Sequence, residues 1–204
     1  MNKLLLTGAA LLALGTTSAH ADEYARTDFS PYLGVYGGYG WTDGDGQGAL
    51  SGADIYLDGA EYGLFAGMRV DTLLDQTVNR IGLGLTGAVE VNYGWSDQDD
   101  TIAGVIIEKN HEYGISFRPG LALIDRINPL DFTTYGILGY KRAEFEVDGL
   151  GEDDYDGFEL GIGSELVAYD NVGVRLDYSH TWYEEKNSID PSEDAVKLGL
   201  SFQF

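Results

Sequence analysis

The chain contains no cysteine, so disulfides and thiol chemistry are excluded and the fold must hold without them. Basic residues are scarce: 12 Lys and Arg stand against 34 Asp and Glu, a formal charge of −22. Such acidity excludes nucleic acid as a partner, because phosphate backbones attract basic surfaces. Past residue 21 no apolar run approaches the ~20 residues that a transmembrane helix needs, and no helical period is sustained. Histidine is scarce too, with only His111 and His180 beyond that point. Aromatic residues, by contrast, are plentiful. With 14 Tyr, 8 Phe and 3 Trp the chain is too aromatic to be a disordered, solvating acidic tail.

The N-terminus reads as an export signal. Lys3 supplies the positive charge, Leu4 to Leu14 the apolar stretch, and Ala19-His20-Ala21 a small-x-small cleavage site. This divides the chain into a signal peptide over 1–21 and one domain over 22–204, beginning at Asp22. Without a spanning helix, an exported chain is either soluble or a barrel, since only helices and closed barrels satisfy the backbone in lipid.

From residue 32 onward apolar and polar residues alternate, the period of a strand. Eight segments are bounded by Gly, Asp, Asn or Pro clusters: 32–41, 62–70, 81–95, 112–123, 132–143, 157–168, 172–183 and 195–204. The third is clearest, with Leu83, Leu85, Val89, Val91, Tyr93 and Trp95 against Gly82, Gly84, Thr86, Glu90 and Asn92. The fifth is ambiguous in phase, and the reading favours Leu138 and Tyr140 outward with Lys141 inward. The links after strands one, three, five and seven read as long and acidic, including Asp97, Asp99, Asp100, Glu152, Asp153, Asp154 and Asp156. Those after strands two, four and six read as shorter. Long outer loops alternating with short periplasmic turns are the pattern of a membrane barrel.

Two features put the apolar face outside. The polar phase is rich in glycine, which weakens strands and would serve no purpose on a water-exposed face. An eight-stranded barrel has room inside only for packed side chains, and Arg69, Glu90, Arg118, Glu159, Glu165, Arg175, Asp177 and Lys197 fill it as paired ions. All three tryptophans, Trp41, Trp95 and Trp182, fall on the apolar phase near one end, as an aromatic girdle would. The fold expected is therefore all-β, an eight-stranded antiparallel up-and-down transmembrane barrel. One ion pair is also expected: the tight link Tyr169-Asp170-Asn171 sets Glu165 opposite Arg175 on the inward phase.

At this point the chain resembles the small outer-membrane barrels of the OmpA membrane-domain and OmpX type. The stretches that carry the resemblance are Tyr32-Leu-Gly-Val-Tyr-Gly-Gly-Tyr39, Gly161-Ile-Gly-Ser-Glu165 and Lys197-Leu-Gly-Leu-Ser-Phe-Gln-Phe204. The resemblance implies that Leu198, Leu200, Phe202 and Phe204 form the signal read by the outer-membrane assembly machinery. It further implies a monomer in the outer membrane of a Gram-negative envelope, in contact with its lipid and lipopolysaccharide. The loops match nothing in that family, so the surface ligand is unknown.

Other chemistry falls away. Gly82-Leu-Gly84-Leu-Thr-Gly87 matches a dinucleotide fingerprint, but the alternation runs on through Val89 and Val91 where a helix should open. Asp43 to Asp54 partly mimics a calcium loop, yet Gln47 and Asp54 depart from its ligand pattern. Some barrels of this size hydrolyse lipid A with a Ser/His pair on the outer wall. Here Ser179 and His180 are adjacent and point to opposite faces, and His111 reads as a loop residue. The expectation is a non-enzymatic structural or surface-interaction barrel without metal or cofactor. A narrow porin-like channel is the alternative, and a lipid A hydrolase a more distant one.

Overall fold

The computed structural model describes residues 27–46, 54–73, 81–102, 105–125, 130–147, 151–168, 171–186 and 189–204. The segment read as an export signal lies outside them. The strands are β1 (Thr27–Gly46), β2 (Asp54–Leu73), β3 (Ile81–Ile102), β4 (Val105–Asp125), β5 (Leu130–Val147), β6 (Gly151–Ala168), β7 (Val172–Tyr183) and β8 (Ile189–Gln203). Each pairs antiparallel with the next, and β8 returns to β1 to close the barrel. Closure leaves no free sheet edge, which is what a sheet in lipid requires.

The alternation sorts the side chains into two populations. Leu64, Val89, Val91, Ile115, Phe117, Ile162, Leu176, Leu198 and Leu200 face outward and are exposed, while their strand neighbours face inward and are buried or half-buried. In β5, Leu138 and Tyr140 point out and Lys141 points in. On β3 the outward apolar run extends from Leu83 to Trp95. At a rise of ~3.3 Å per residue and a tilt of about 45°, that run spans about 28 Å, close to the height of a membrane barrel's apolar band.

The long acidic loops are a point of correction. Most of those residues are strand: β3 continues through Asp97, Asp99 and Asp100 to Ile102, and β6 begins at Gly151 before Glu152, Asp153, Asp154 and Asp156. With 22 residues β3 is about twice the 9–11 that crossing requires, and its residues 96–102, beyond Trp95, project as a ribbon past the apolar band. Backbone pairing continues because unpaired N–H and C=O groups are costly, even where neither side-chain phase is apolar. The asymmetry read as loop length is therefore an asymmetry of strand extension. Asp43 and Asp45 lie in β1 and Asp54 in β2, and Asp45 is the register partner of Asp54.

Candidate functional site

The inner face divides into two charged layers. Nearer the end that holds Thr27 and Phe204, Arg69, Arg118 and Arg175 meet Glu90, Glu165 and Asp177. Arg175 donates to both Glu90 oxygens at 2.6 and 3.1 Å, and Arg118 reaches Glu90 at 2.9 Å and Asp177 at 2.8 Å. Arg69 pairs with Glu165. Tyrosines complete the shell: Tyr32 donates to Glu90 at 3.0 Å and Tyr135 to Asp177 at 2.6 Å. Arg175 also lies 3.5 Å over the Phe65 ring, a cation–π contact strengthened by the loss of water. Gly199 makes room for it, since a Cβ there would come within 2.8 Å of Arg175 Cγ.

Farther along the barrel, Lys109, Lys141 and Lys197 meet Glu61, Glu112, Glu159 and Glu193. Lys109 Nζ donates to Glu61 and Glu112 at 2.8 Å each and also pairs with Glu193. Lys141 approaches Glu159 at 3.2 Å, and Lys197 reaches Glu112 at 2.6 Å. Beyond this layer Phe145 packs edge-on against Tyr155 and Tyr183, with ring centroids 5.3 and 5.8 Å apart. These three rings and Ala143 form a buried apolar cluster that caps the lysines. Between Tyr32, Arg69, Arg118 and Tyr135 lies a cavity of about 10 Å³, room for roughly one water.

The eight charges placed inside from sequence all sit there: Arg69, Glu90, Arg118, Glu159, Glu165, Arg175 and Asp177 are buried, and the Lys197 side chain is 13% exposed. The expected Glu165–Arg175 bridge needs correction. The two residues are register partners, yet Glu165 turns to Arg69 while Arg175 turns to Glu90 and Asp177. In a narrow closed barrel long side chains reach across the lumen, and Glu90 offers Arg175 a two-pronged partner that a strand neighbour does not.

Sequence reading missed Glu61, Gln98, Lys109, Glu112 and Glu193. Glu61 and Glu193 continue the inward phase of Arg69 and Lys197 in steps of two, so extending the strands would have found them. Glu112, the first residue of the 112–123 segment, already shares the inward phase of Ser116 and Arg118. Lys109 would still have escaped: it lies three residues before Glu112 yet is also buried, because the pairing shifts register between Lys109 and His111, and such a shift breaks the period of two.

On the outer wall Trp41, Trp95 and Trp182 lie where the apolar band gives way to acid, and Trp41 is the register partner of both Asp58 and Asp194. Trp95 stacks on Tyr62 at 5.9 Å, and Trp182 on Phe158 at 6.3 Å. His111 is a strand residue rather than a loop residue; it lies in β4, 3.3 Å from Glu144. His180 faces outward with Nδ1 2.9 Å from Asp194, whereas Ser179 is buried inside. Leu198, Leu200, Phe202 and Phe204 are all exposed on the outer face of the closing strand. The fingerprint-like Gly82–Gly87 run lies wholly within β3.

A family model described as outer membrane protein beta-barrel domain matches residues 7–204. The 25 kDa outer-membrane immunogenic protein of Brucella ovis is 27% identical over 223 residues, covering 100% of this chain and 98% of that protein. The 22 kDa outer membrane protein of Rhizobium leguminosarum bv. viciae is 27% identical over 170 residues, covering 78% and 75%. Among solved structures, Neisserial surface protein A shares the fold with a TM-score of 0.50 and 14% identity, over 88% of this chain and 99% of that one.

Proposed function

This chain belongs to the outer membrane protein beta-barrel domain family, and from that premise we propose that it is a sealed, non-enzymatic barrel displaying an acidic rim at the bacterial surface. The lumen carries this reading. Two layers of mutually paired ions and an aromatic cap fill it, and the cavity among the arginines holds about 10 Å³. A hydrated ion has no path through such packing, which weighs against the channel. The outer-wall histidines each face a carboxylate, but Ser179 is turned into the lumen away from His180. That weighs against a serine hydrolase, which needs nucleophile and base within hydrogen-bond reach.

In this reading the end bearing Thr27 and Phe204 faces the periplasm, and the extended ribbons project outward. The three tryptophans then sit at the outer interface, against lipid and lipopolysaccharide. The relatives named as immunogenic support an outward rim, since antibodies meet what the surface displays. Planar-bilayer recording tests the proposal: the purified protein should insert without steady unitary conductance. Discrete, reproducible current steps would establish the channel instead.

A second test concerns assembly. Phe204 is 67% exposed and packs edge-on against Phe202 at 5.2 Å, so it offers an apolar handle to the assembly machinery. Deleting Phe204 should cut the surface level several-fold while leaving the stability of barrel refolded in detergent nearly unchanged. Normal surface levels would remove the assembly role.

A further inference from the structure

The two charged layers differ in one respect. The arginine layer balances, with Arg69, Arg118 and Arg175 against Glu90, Glu165 and Asp177. The lysine layer does not: Lys109, Lys141 and Lys197 face Glu61, Glu112, Glu159 and Glu193. An uncompensated charge shielded from water is strongly unfavourable, and a carboxylate so placed takes up a proton. The extra negative charge must therefore be neutralised where it lies.

The hydrogen bonds locate it. Carboxylate oxygens of Glu61, Glu112 and Glu193 lie within 4.8 Å of one another. Lys109 Nζ touches all three, which commits every N–H it has. Glu112 is further compensated by Lys197 at 2.6 Å and Lys141 at 3.4 Å, and Glu159 by Lys141 at 3.2 Å. Glu61 and Glu193 are instead drawn together. Gln98 Nε2 donates to Glu61 Oε1 at 2.8 Å and to Glu193 Oε1 at 3.0 Å, and Lys109 holds the same two oxygens.

The surroundings hold that geometry in place. Thr42 of β1 donates to Gln98 Oε1 at 2.8 Å, which turns the amide nitrogen toward the two acids. Tyr183 of β7 donates to Glu193 Oε2 at 2.8 Å, and Lys141 of β5 lies 3.5 Å from the same oxygen. Glu61 Oε2 is buried and receives no hydrogen bond, although Lys197 Nζ lies 3.1 Å away. On β1, a Cβ at Gly40 would come within 2.4 Å of Gln98 Nε2 and 2.9 Å of Glu61 Oε1, so the absence of a side chain there admits the cluster. Gln98 and Lys109 also border a rim hollow of about 340 Å³ shared with the exposed Asp97, Asp99 and Glu108, which Glu61 and Glu193 do not line.

We propose that Glu61 and Glu193 share one proton at neutral pH, a buried proton-binding site that renders the lysine layer neutral. Two carboxylates held side by side cannot both ionise without repulsion, and one proton between them turns the repulsion into a hydrogen bond. The pair titrates as a unit, so the proton belongs to both residues.

Infrared spectroscopy of the folded protein, with glutamine variants, tests this. At neutral pH the parent should show the C=O stretch of a protonated carboxylic acid, shifted by deuteration. The band should vanish in both Glu61→Gln and Glu193→Gln and persist in the rim control Glu152→Gln. Because glutamine reproduces the shape and neutrality of the protonated acid, Glu61→Gln should also keep the parental urea midpoint, whereas Glu112→Gln should lower it. Absence of the band in the parent, its survival in either lumen variant, or failure of Glu61→Gln to fold as the parent does would each overturn the proposal.

Discussion

Replacing Lys109 by methionine is expected to lower the unfolding free energy by at least about 3–5 kcal/mol, the cost of removing one partner from a buried ion pair. Methionine keeps most of the aliphatic stem and removes the ammonium, so little of the loss is packing. The side chain is wholly buried and is the common donor to Glu61, Glu112 and Glu193. Without it, the three carboxylates that lie within 4.8 Å of one another lose the charge between them. Lys197→Met is the internal comparison. That lysine touches Glu61 and Glu112 but keeps 13% of its side chain exposed, so water screens part of the loss and the effect should be smaller. Urea unfolding in detergent, followed by tryptophan fluorescence, measures both. A loss below about 1 kcal/mol for Lys109→Met, the scale of a solvent-exposed pair, would mean that the lumen is hydrated rather than sealed.

The barrel itself was legible because its two faces contrast so strongly. Over β3, Leu83 to Trp95 alternates with glycine, threonine and Glu90, and an outward apolar run of that length opposite a polar, glycine-rich face points to a membrane barrel. Legibility ended where the contrast ended. Beyond Trp95 both phases are polar, so Asp97 and Asp99 outside and Gln98 inside look alike to a hydrophobicity pattern and read as loop. The strand continues there because backbone pairing, not side-chain polarity, sustains it. The missed Gln98 lies in that stretch and the missed Lys109 opposite it on β4, next to the register shifts of β4 with β3 and β5.

The arginine layer shows a different limit. Phase located each of its charges, but phase fixes only the direction of a Cβ atom. Partner choice across a closed lumen depends on strand stagger and on reach, which one strand pair does not reveal. Glu165 and Arg175 are opposed in register, as their hairpin requires, and still choose partners on other strands.

That choice makes the second large effect specific to Glu90. This carboxylate is fully buried and accepts from Arg175 at 2.6 and 3.1 Å, from Arg118 at 2.9 Å and from Tyr32 at 3.0 Å. Glu90→Gln keeps the shape but removes the charge, leaving two guanidinium groups facing an amide that can accept through only one oxygen. The expected loss is again about 3–5 kcal/mol. Arg175→Met should cost a similar amount, because it takes from Glu90 its two-pronged partner, leaving only Arg118 and Tyr32, and uncovers the Phe65 ring that Arg175 overlies at 3.5 Å. The double variant should recover part of the sum, with a coupling of up to about 3 kcal/mol, as for groups in direct contact. The same cycle on Glu165 and Arg175 should give a coupling smaller by about 1 kcal/mol or more, since each of them binds elsewhere. Urea unfolding of the three single and two double variants beside the parent decides between the two pairings. Equal couplings in the two cycles would mean that strand neighbours, and not cross-lumen partners, hold the arginine layer together.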